Sequence, residues 1–249
     1  MPLTTAAHRW QPGIRRALRK ARALVWEAPP EAPIARLARS DPRWPVFSSA
    51  IEYINVEGIG GDIVECGVYT GVSLALLAYA QQAQEAPGLA RRVVGFDAFE
   101  GLPPSQDLHP LWTTGSFSVN TGEHPVLPIG ARATPQATRE LFALCHLPPP
   151  VLEVGWFAET FRRAPCEAIA LLHVDCDLYE SAVDVLHGAA AALQDGTMVL
   201  FDDWFLFKGH PGKGESRAFS EFLAGHPEWD AVPYRTYGTC GRAFILSRR

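Results

Sequence analysis

Two apolar runs in this chain end in paired carboxylates. LLHVDCDLYES (residues 171–181) closes Leu171, Leu172 and Val174 with Asp175 and Asp177, and MVLFDDW (residues 198–204) closes Met198 to Phe201 with Asp202 and Asp203. Acids at the ends of two neighbouring strands repel one another unless they hydrogen-bond or hold a cation. Asp175, Asp202 and Asp203 offer the all-oxygen set that suits Mg²⁺ or another divalent cation, and no His/Cys pattern with zinc spacing competes. The alternative is that Asp202 and Asp203 cap the following segment while Asp175 bonds a loop. Asp177 lies two residues past a proposed ligand, on the same side in an extended segment. Three roles are open to it: general base toward a hydroxyl acidified by the metal, outer orienter of metal-bound water, or N-cap before Tyr179.

A second constellation, DIVECGVYTGVS (residues 62–73), reads as a strand, then Glu65-x-Gly67-x-x-x-Gly71, then a helix. Gly67 allows a sharp turn, and Gly71 allows a ligand close to the helix start. An acid before the first glycine suits an amino group rather than a pyrophosphate. Thr70 and Ser73 stand where the helix start favours a carboxylate. Asp97 ends the next strand, where an acid binds ribose hydroxyls. An amino-acid moiety joined to a ribose describes S-adenosylmethionine. The alternative is that both acids only cap helices.

These residues need a scaffold that brings strand ends to one rim. Short strands at residues 63–67, 93–97, 151–155, 168–174 and 198–201 alternate with helices at 73–84, 134–145, 157–163, 181–194 and 216–223. Such βα repetition predicts an α/β fold, a mostly parallel sheet with helices on both faces, whose ligands lie beyond the carboxyl ends of the strands. VPYRTY and RAFILS, joined through residues 238–241, add a C-terminal antiparallel hairpin. Residues 101–133, rich in Pro, Gly, Ser and Thr, read as a lid or acceptor loop within a domain spanning 46–249. His109 and His124 in that loop are candidates to position or deprotonate an acceptor, though surface roles suit both. Trp112, Phe117 and Trp204 are candidates for an apolar wall or for core.

Ahead of this domain, residues 1–45 form an arm and linker. Ile14, Leu18, Ala21 and Val25 stripe a basic helix over 12–26, and the prolines of 28–45 predict an irregular wrap. The net charge of −5 divides into +6 over residues 1–39 and −11 over the rest, so the body offers no nucleic-acid face. The basic helix suits packing on the body or a second subunit better than a peripheral membrane contact. No apolar stretch approaches the roughly 20 residues of a membrane span. Five cysteines without a CxxC pair fit a reduced, cytoplasmic protein.

GDIVECGVYTGVSLALLA, VVGFDAFEGLP, EVGWFAETF, LLHVDCDLYES and LFDDW together resemble the macrocin and mycinamicin O-methyltransferase family, which includes the novobiocin-pathway sugar methyltransferase. The resemblance covers residues 46–247. It implies a class I methyltransferase fold, Rossmann-like with a seven-stranded sheet, S-adenosylmethionine as donor, a divalent metal, usually Mg²⁺, and a glycoside acceptor with vicinal hydroxyls. It also implies that Asp175, Asp202 and Asp203 hold the metal and that Asp177 is the base. Glu65, Gly67, Ser73 and Asp97 would contact the donor, with Gly155, Trp156 and Phe157 near the adenine, in a homo-oligomer. Residues 104–131 and 204–219 depart from the macrolide-sugar enzymes and border the acceptor. Two rival readings are an Asp-cluster metal-dependent hydrolase, which leaves the glycine loop idle, and a non-catalytic nucleotide-binding scaffold in a polysaccharide pathway.

Overall fold

The computed structural model describes residues 32–84, 88–105, 109–112, 118–119, 124–164 and 166–249. The basic helix expected over 12–26 and Phe117 lie outside them.

Seven strands form one sheet in the order β3-β2-β1-β4-β5-β7-β6. In chain order they are β1 (Asp62–Cys66), β2 (Val93–Asp97), β3 (Val151–Val154), β4 (Ile169–Val174), β5 (Leu193–Phe201), β6 (Trp229–Tyr237) and β7 (Gly241–Arg248). Strands β1 to β5 pair in parallel, and β7 runs antiparallel to both of its neighbours, β5 and β6. The expected sheet and C-terminal hairpin are therefore present. The sequence order reverses between β1 and β4, and this is where a doubly wound sheet opens a crevice at its strand ends.

Alternation along the strands divides the core into two layers. Ile63, Leu171, Met198 and Leu200 face one side, against α1 (Pro33–Ser40), α2 (Trp44–Val56), α3 (Val72–Ala83) and α4 (Pro135–Leu144). Val64, Leu172, Val199 and Phe201 face the other, against α5 (Phe157–Arg163), α6 (Tyr179–Ala189) and α7 (Gly214–Gly225). Phe47, Ile51 and Ile54 of α2 are fully buried, each contributing about 1.5–3 kcal/mol of burial energy.

Two expectations need correction. The Pro-containing wrap carries a helix from Pro33, because proline is favoured at a first helical position and Ile34, Leu37 and Ala38 then fall on one buried face. The helix expected over 181–194 ends at Ala189, and after one 3-10 turn the chain is already extended from Leu193. Leu193 is buried as strand core, and Gly196 lies within the same strand.

Candidate active site

Gly67 leaves β1 at φ +97, and a Cβ there would stand 1.7 Å from the carbonyl oxygen of Asp175. Only glycine lets the ends of β1 and β4 come this close. The amides lace the tips together: Gly67 N–H donates to Phe96 O (2.9 Å) and Asp175 N–H to Cys66 O (2.9 Å). Asp97 fastens the loop that follows. One carboxylate oxygen accepts the N–H groups of Val68 and Tyr69, each at 2.8 Å, and the other accepts that of Phe99 at 2.6 Å. A carboxylate has about four acceptor positions, so Asp97 keeps capacity for one further hydroxyl.

These tips line one cleft of about 1030 Å³, counting its solvent-open mouth. Its wall includes Gly67, Thr70, Ser73, Asp97, Gly155, Trp156 and Phe157, and continues to Asp175 and Asp177. Most of the residues expected at a donor site thus meet at one surface. Two do not. Glu65 is fully buried and turned away from the cleft, donating nothing to it; its Oε1 lies 2.8 Å from Nδ1 of His173. The register of β1 beside β4 pairs these residues directly, which sets both side chains on the same face of the sheet, and Glu65 is not among the residues that line the cleft. Gly71 starts α3 at φ +83 but faces Thr138 of α4, whose Cγ2 would meet a Cβ at 2.7 Å. Its freedom serves helix packing, not ligand approach.

At the acid rim the three expected metal ligands are drawn into two separate associations. Arg43, in the turn between α1 and α2, places Nη1 3.1 Å from Oδ2 of Asp175 and 3.8 Å from Oδ2 of Asp202. Asp203 instead associates with Asp177. Consequently the three aspartates do not form a tight ligand group by themselves. Among the described residues, Glu65, His173 and Asp175 have ligand atoms all within 4.8 Å of one another. Asp177 is not extended: at φ +63 it adopts the left-handed region, a strained conformation for a non-glycine residue and one that recurs at functional sites.

The electrostatics follow from this crowding. Burial and the charge of Asp202 push Asp175 well above the usual carboxylate range; burial and the charge of Asp177 do the same to Asp203. Burial and the charge of Asp175 raise Asp177 to about 7. Asp202 is the exception: burial opposes its ionisation, but His173 and Arg43 outweigh that and hold it below the usual range. Asp175 and Asp203, crowded carboxylates that resist ionising, present the chemistry that a hard divalent cation relieves, so the donor chemistry of the rim, rather than a ready-made ligand cage, suits such an ion.

Sequence reasoning passed over three residues here. Arg43 lies in the Pro-containing stretch, away from the strand ends that carry the local signals. His173 is fully buried within β4, edge-on to Phe47 at 5.0 Å, and its Nε2, 3.7 Å from Oδ1 of Asp202, has no hydrogen-bond partner among the described residues. A lone imidazole inside an otherwise apolar strand was the available signal. Glu215, buried at the start of α7, accepts the backbone N–H of Asp203 at 2.9 Å; nothing distinguished it from an ordinary first-turn glutamate.

The lid residues divide. Nδ1 of His124 accepts from Val126 and Leu127 N–H, leaving Nε2 to donate to Thr70 O at 3.1 Å, so this histidine fastens lid to loop. His109 and Trp112 pack with Phe207, centroids 5.2 and 5.9 Å away. Trp204 packs into the core with Phe201, Phe219 and Phe244.

Among the described residues, no helix is long and apolar enough to cross a membrane. The chain is 32% identical over 159 residues to a Streptomyces olivaceus protein named 8-demethyl-8-(2,3-dimethoxy-alpha-L-rhamnosyl)-tetracenomycin-C 4'-O-methyltransferase, covering 62% of this chain and 57% of that one. It is 29% identical over 150 residues to mycinamicin III 3''-O-methyltransferase of Micromonospora griseorubida, covering 59% of this chain and 57% of that one. The chain therefore matches little more than half the length of these curated relatives. The solved structure of the O-methyltransferase NovP superposes with a TM-score of 0.60 at 22% identity, covering 83% of this chain and 80% of that one. That likeness establishes the class I methyltransferase fold. A family model described as macrocin O-methyltransferase (TylF) matches residues 17–221, so the chain belongs to the macrocin O-methyltransferase family.

Proposed function

We propose that this protein transfers a methyl group from S-adenosylmethionine to a hydroxyl of a sugar or sugar-bearing natural product, assisted by a divalent cation. The observation that carries the reading is a cleft lined both by the glycine loop with Asp97 and by Asp175 with Asp177. A nucleoside donor and a hydroxyl acceptor can share it. The tetracenomycin relative, an O-methyltransferase whose name specifies a rhamnosyl-bearing compound, supports a sugar acceptor.

S-adenosylmethionine supplies an electrophilic methyl on a sulfonium. Asp97 keeps an acceptor position for a ribose hydroxyl, while Thr70 and Ser73 stand at the start of α3, which favours the donor's carboxylate. Trp156 and Phe157, also on the cleft's lining, offer apolar surface to an adenine. Asp175, Asp202 and Asp203 would hold the cation, which lowers the pKa of a hydroxyl it contacts. Asp177 accepts the hydroxyl proton as oxygen bonds to the methyl carbon; the carbon–sulfur bond breaks and its electrons return to sulfur as a thioether. Burial and the charge of Asp175 raise the proton affinity of Asp177 and so favour that acceptance, while its hydrogen bond with Asp203 draws its pKa back down.

Calorimetric titration with S-adenosylmethionine and Mg²⁺, followed by a mass-spectrometric screen of glycosides for a methyl gain, tests the reading. Donor affinity and metal-dependent turnover are expected. Donor affinity without turnover on any diol would favour a scaffold, and no donor affinity would remove the reading altogether.

A further inference from the structure

We propose that Arg43 is a tethered counter-cation that competes with the divalent ion for Oδ2 of Asp175 and Asp202, so that removing its charge tightens metal binding. This rests on the metal-assisted reading above. The two short approaches, 3.1 and 3.8 Å, both come from one nitrogen, Nη1, which reaches two of the aspartates that would hold a metal. Asp202 has little else to offer, since its Oδ1 faces His173 Nε2 at 3.7 Å. Arg43 and a metal therefore contend for the same oxygens.

The guanidinium can yield those oxygens without being stranded. Nε donates to Oδ1 of Asp41 at 3.0 Å and Nη2 to Oδ2 at 2.9 Å, a two-pronged grip independent of the rim. The backbone N–H of Arg43 donates to the same Asp41 carboxylate at 2.8 Å, and the guanidinium carbon lies 5.9 Å from the Phe47 ring centroid. Only the Nη1 contacts must break. When no metal is bound, Nη1 spares Asp175 and Asp202 from facing each other uncompensated. When one is bound, a positive charge stays nearby and opposes it. Both effects weaken metal affinity in the natural protein, and both vanish with the charge.

The test is titration of the full chain with Mn²⁺ by calorimetry, and thermal unfolding with and without Mg²⁺, for the natural protein, Arg43→Gln and Arg43→Lys. Arg43→Gln is expected to bind Mn²⁺ roughly tenfold tighter, to melt lower without metal, and to gain more in Tm from Mg²⁺. Arg43→Lys retains the charge and is expected to stay near the natural affinity. Arg43→Met serves if the glutamine variant does not fold, with S-adenosylmethionine binding as the check of integrity. Equal or weaker Mn²⁺ binding by the uncharged variant overturns this inference and leaves the metal-assisted reading standing. Failure of every protein, natural one included, to bind Mn²⁺ or Mg²⁺ while donor binding persists overturns both.

Discussion

At the tips of β1 and β2, one carboxylate meets three backbone N–H groups, and Gly67 lets the loop close on β4 through paired amides. At the tips of β4 and β5, four aspartates crowd together with Arg43, and burial leaves Asp175 and Asp203 reluctant to ionise. The first region holds its shape through hydrogen bonds that the chain completes by itself. The second gathers charge that the chain only partly compensates. A donor site can be rigid and complete in advance, whereas a site for a cation must keep its acids under-satisfied until the ion arrives.

If the regions are this distinct, damage to one should spare the other. Asp202→Asn is expected to give the largest effect, lowering turnover by roughly 10³-fold, with donor affinity unchanged within about threefold. EDTA treatment should reproduce it, and added Mg²⁺ should restore the natural protein but not the variant. Turnover that survives both treatments would dissolve the comparison, because the acid rim would then have no catalytic task.

Gly67→Ala attacks the seam between the regions. Its Cβ would collide with backbone at a positive φ, so about 3 kcal/mol of stability should be lost in urea denaturation. Gly71→Ala, which meets only the side chain of Thr138, should lose about half as much. Equal losses would mean that the closeness of β1 to β4 is not what Gly67 provides.

Asp97→Ala should weaken S-adenosylmethionine binding by about tenfold, and it separates two explanations of that loss. Asp97 fastens the loop as well as facing the cleft, so the Val68 and Tyr69 amides should exchange faster with deuterium even without donor. Unchanged exchange with weakened binding would assign Asp97 wholly to the ligand.

The same contrast explains what could be read from the sequence. Glycines, strand-ending acids and helix caps are local signals, and Thr134, whose Oγ1 accepts Ala137 N–H at 3.1 Å, stands where the sequence starts its helix. Local rules also place Asp97 and Asp175–Asp203 on one rim. They cannot say which neighbour each acid chooses. That Glu65 turns to His173 depends on the register between β1 and β4, and that Arg43 reaches Asp175 spans 132 residues. Arg43 was hidden further because prolines around it suggested irregular chain, although Pro33 and Pro45 both stand where helices begin.

The smallest expected effect concerns the side to which the lid belongs. Tyr69 Oη donates to Ser118 O at 2.9 Å, and Ser118 bridges to Arg132 at the base of residues 118–132. There Val119 N–H donates to Ala131 O at 3.0 Å, a bond formed only while residues 118–119 and 131–132 stay together. Ser118 and His124 are thus fastened to the glycine loop, through Tyr69 and through Thr70. Tyr69→Phe removes one such fastening, worth about 1 kcal/mol or less, so the Val119 amide should exchange no more than about fivefold faster and donor affinity should fall about threefold. Asp202→Asn should leave Val119 exchange untouched. If instead the rim variant loosens Val119 and Tyr69→Phe does not, the lid answers to the acids, and the boundary between the self-sufficient region and the under-compensated one must be redrawn to put it on the far side.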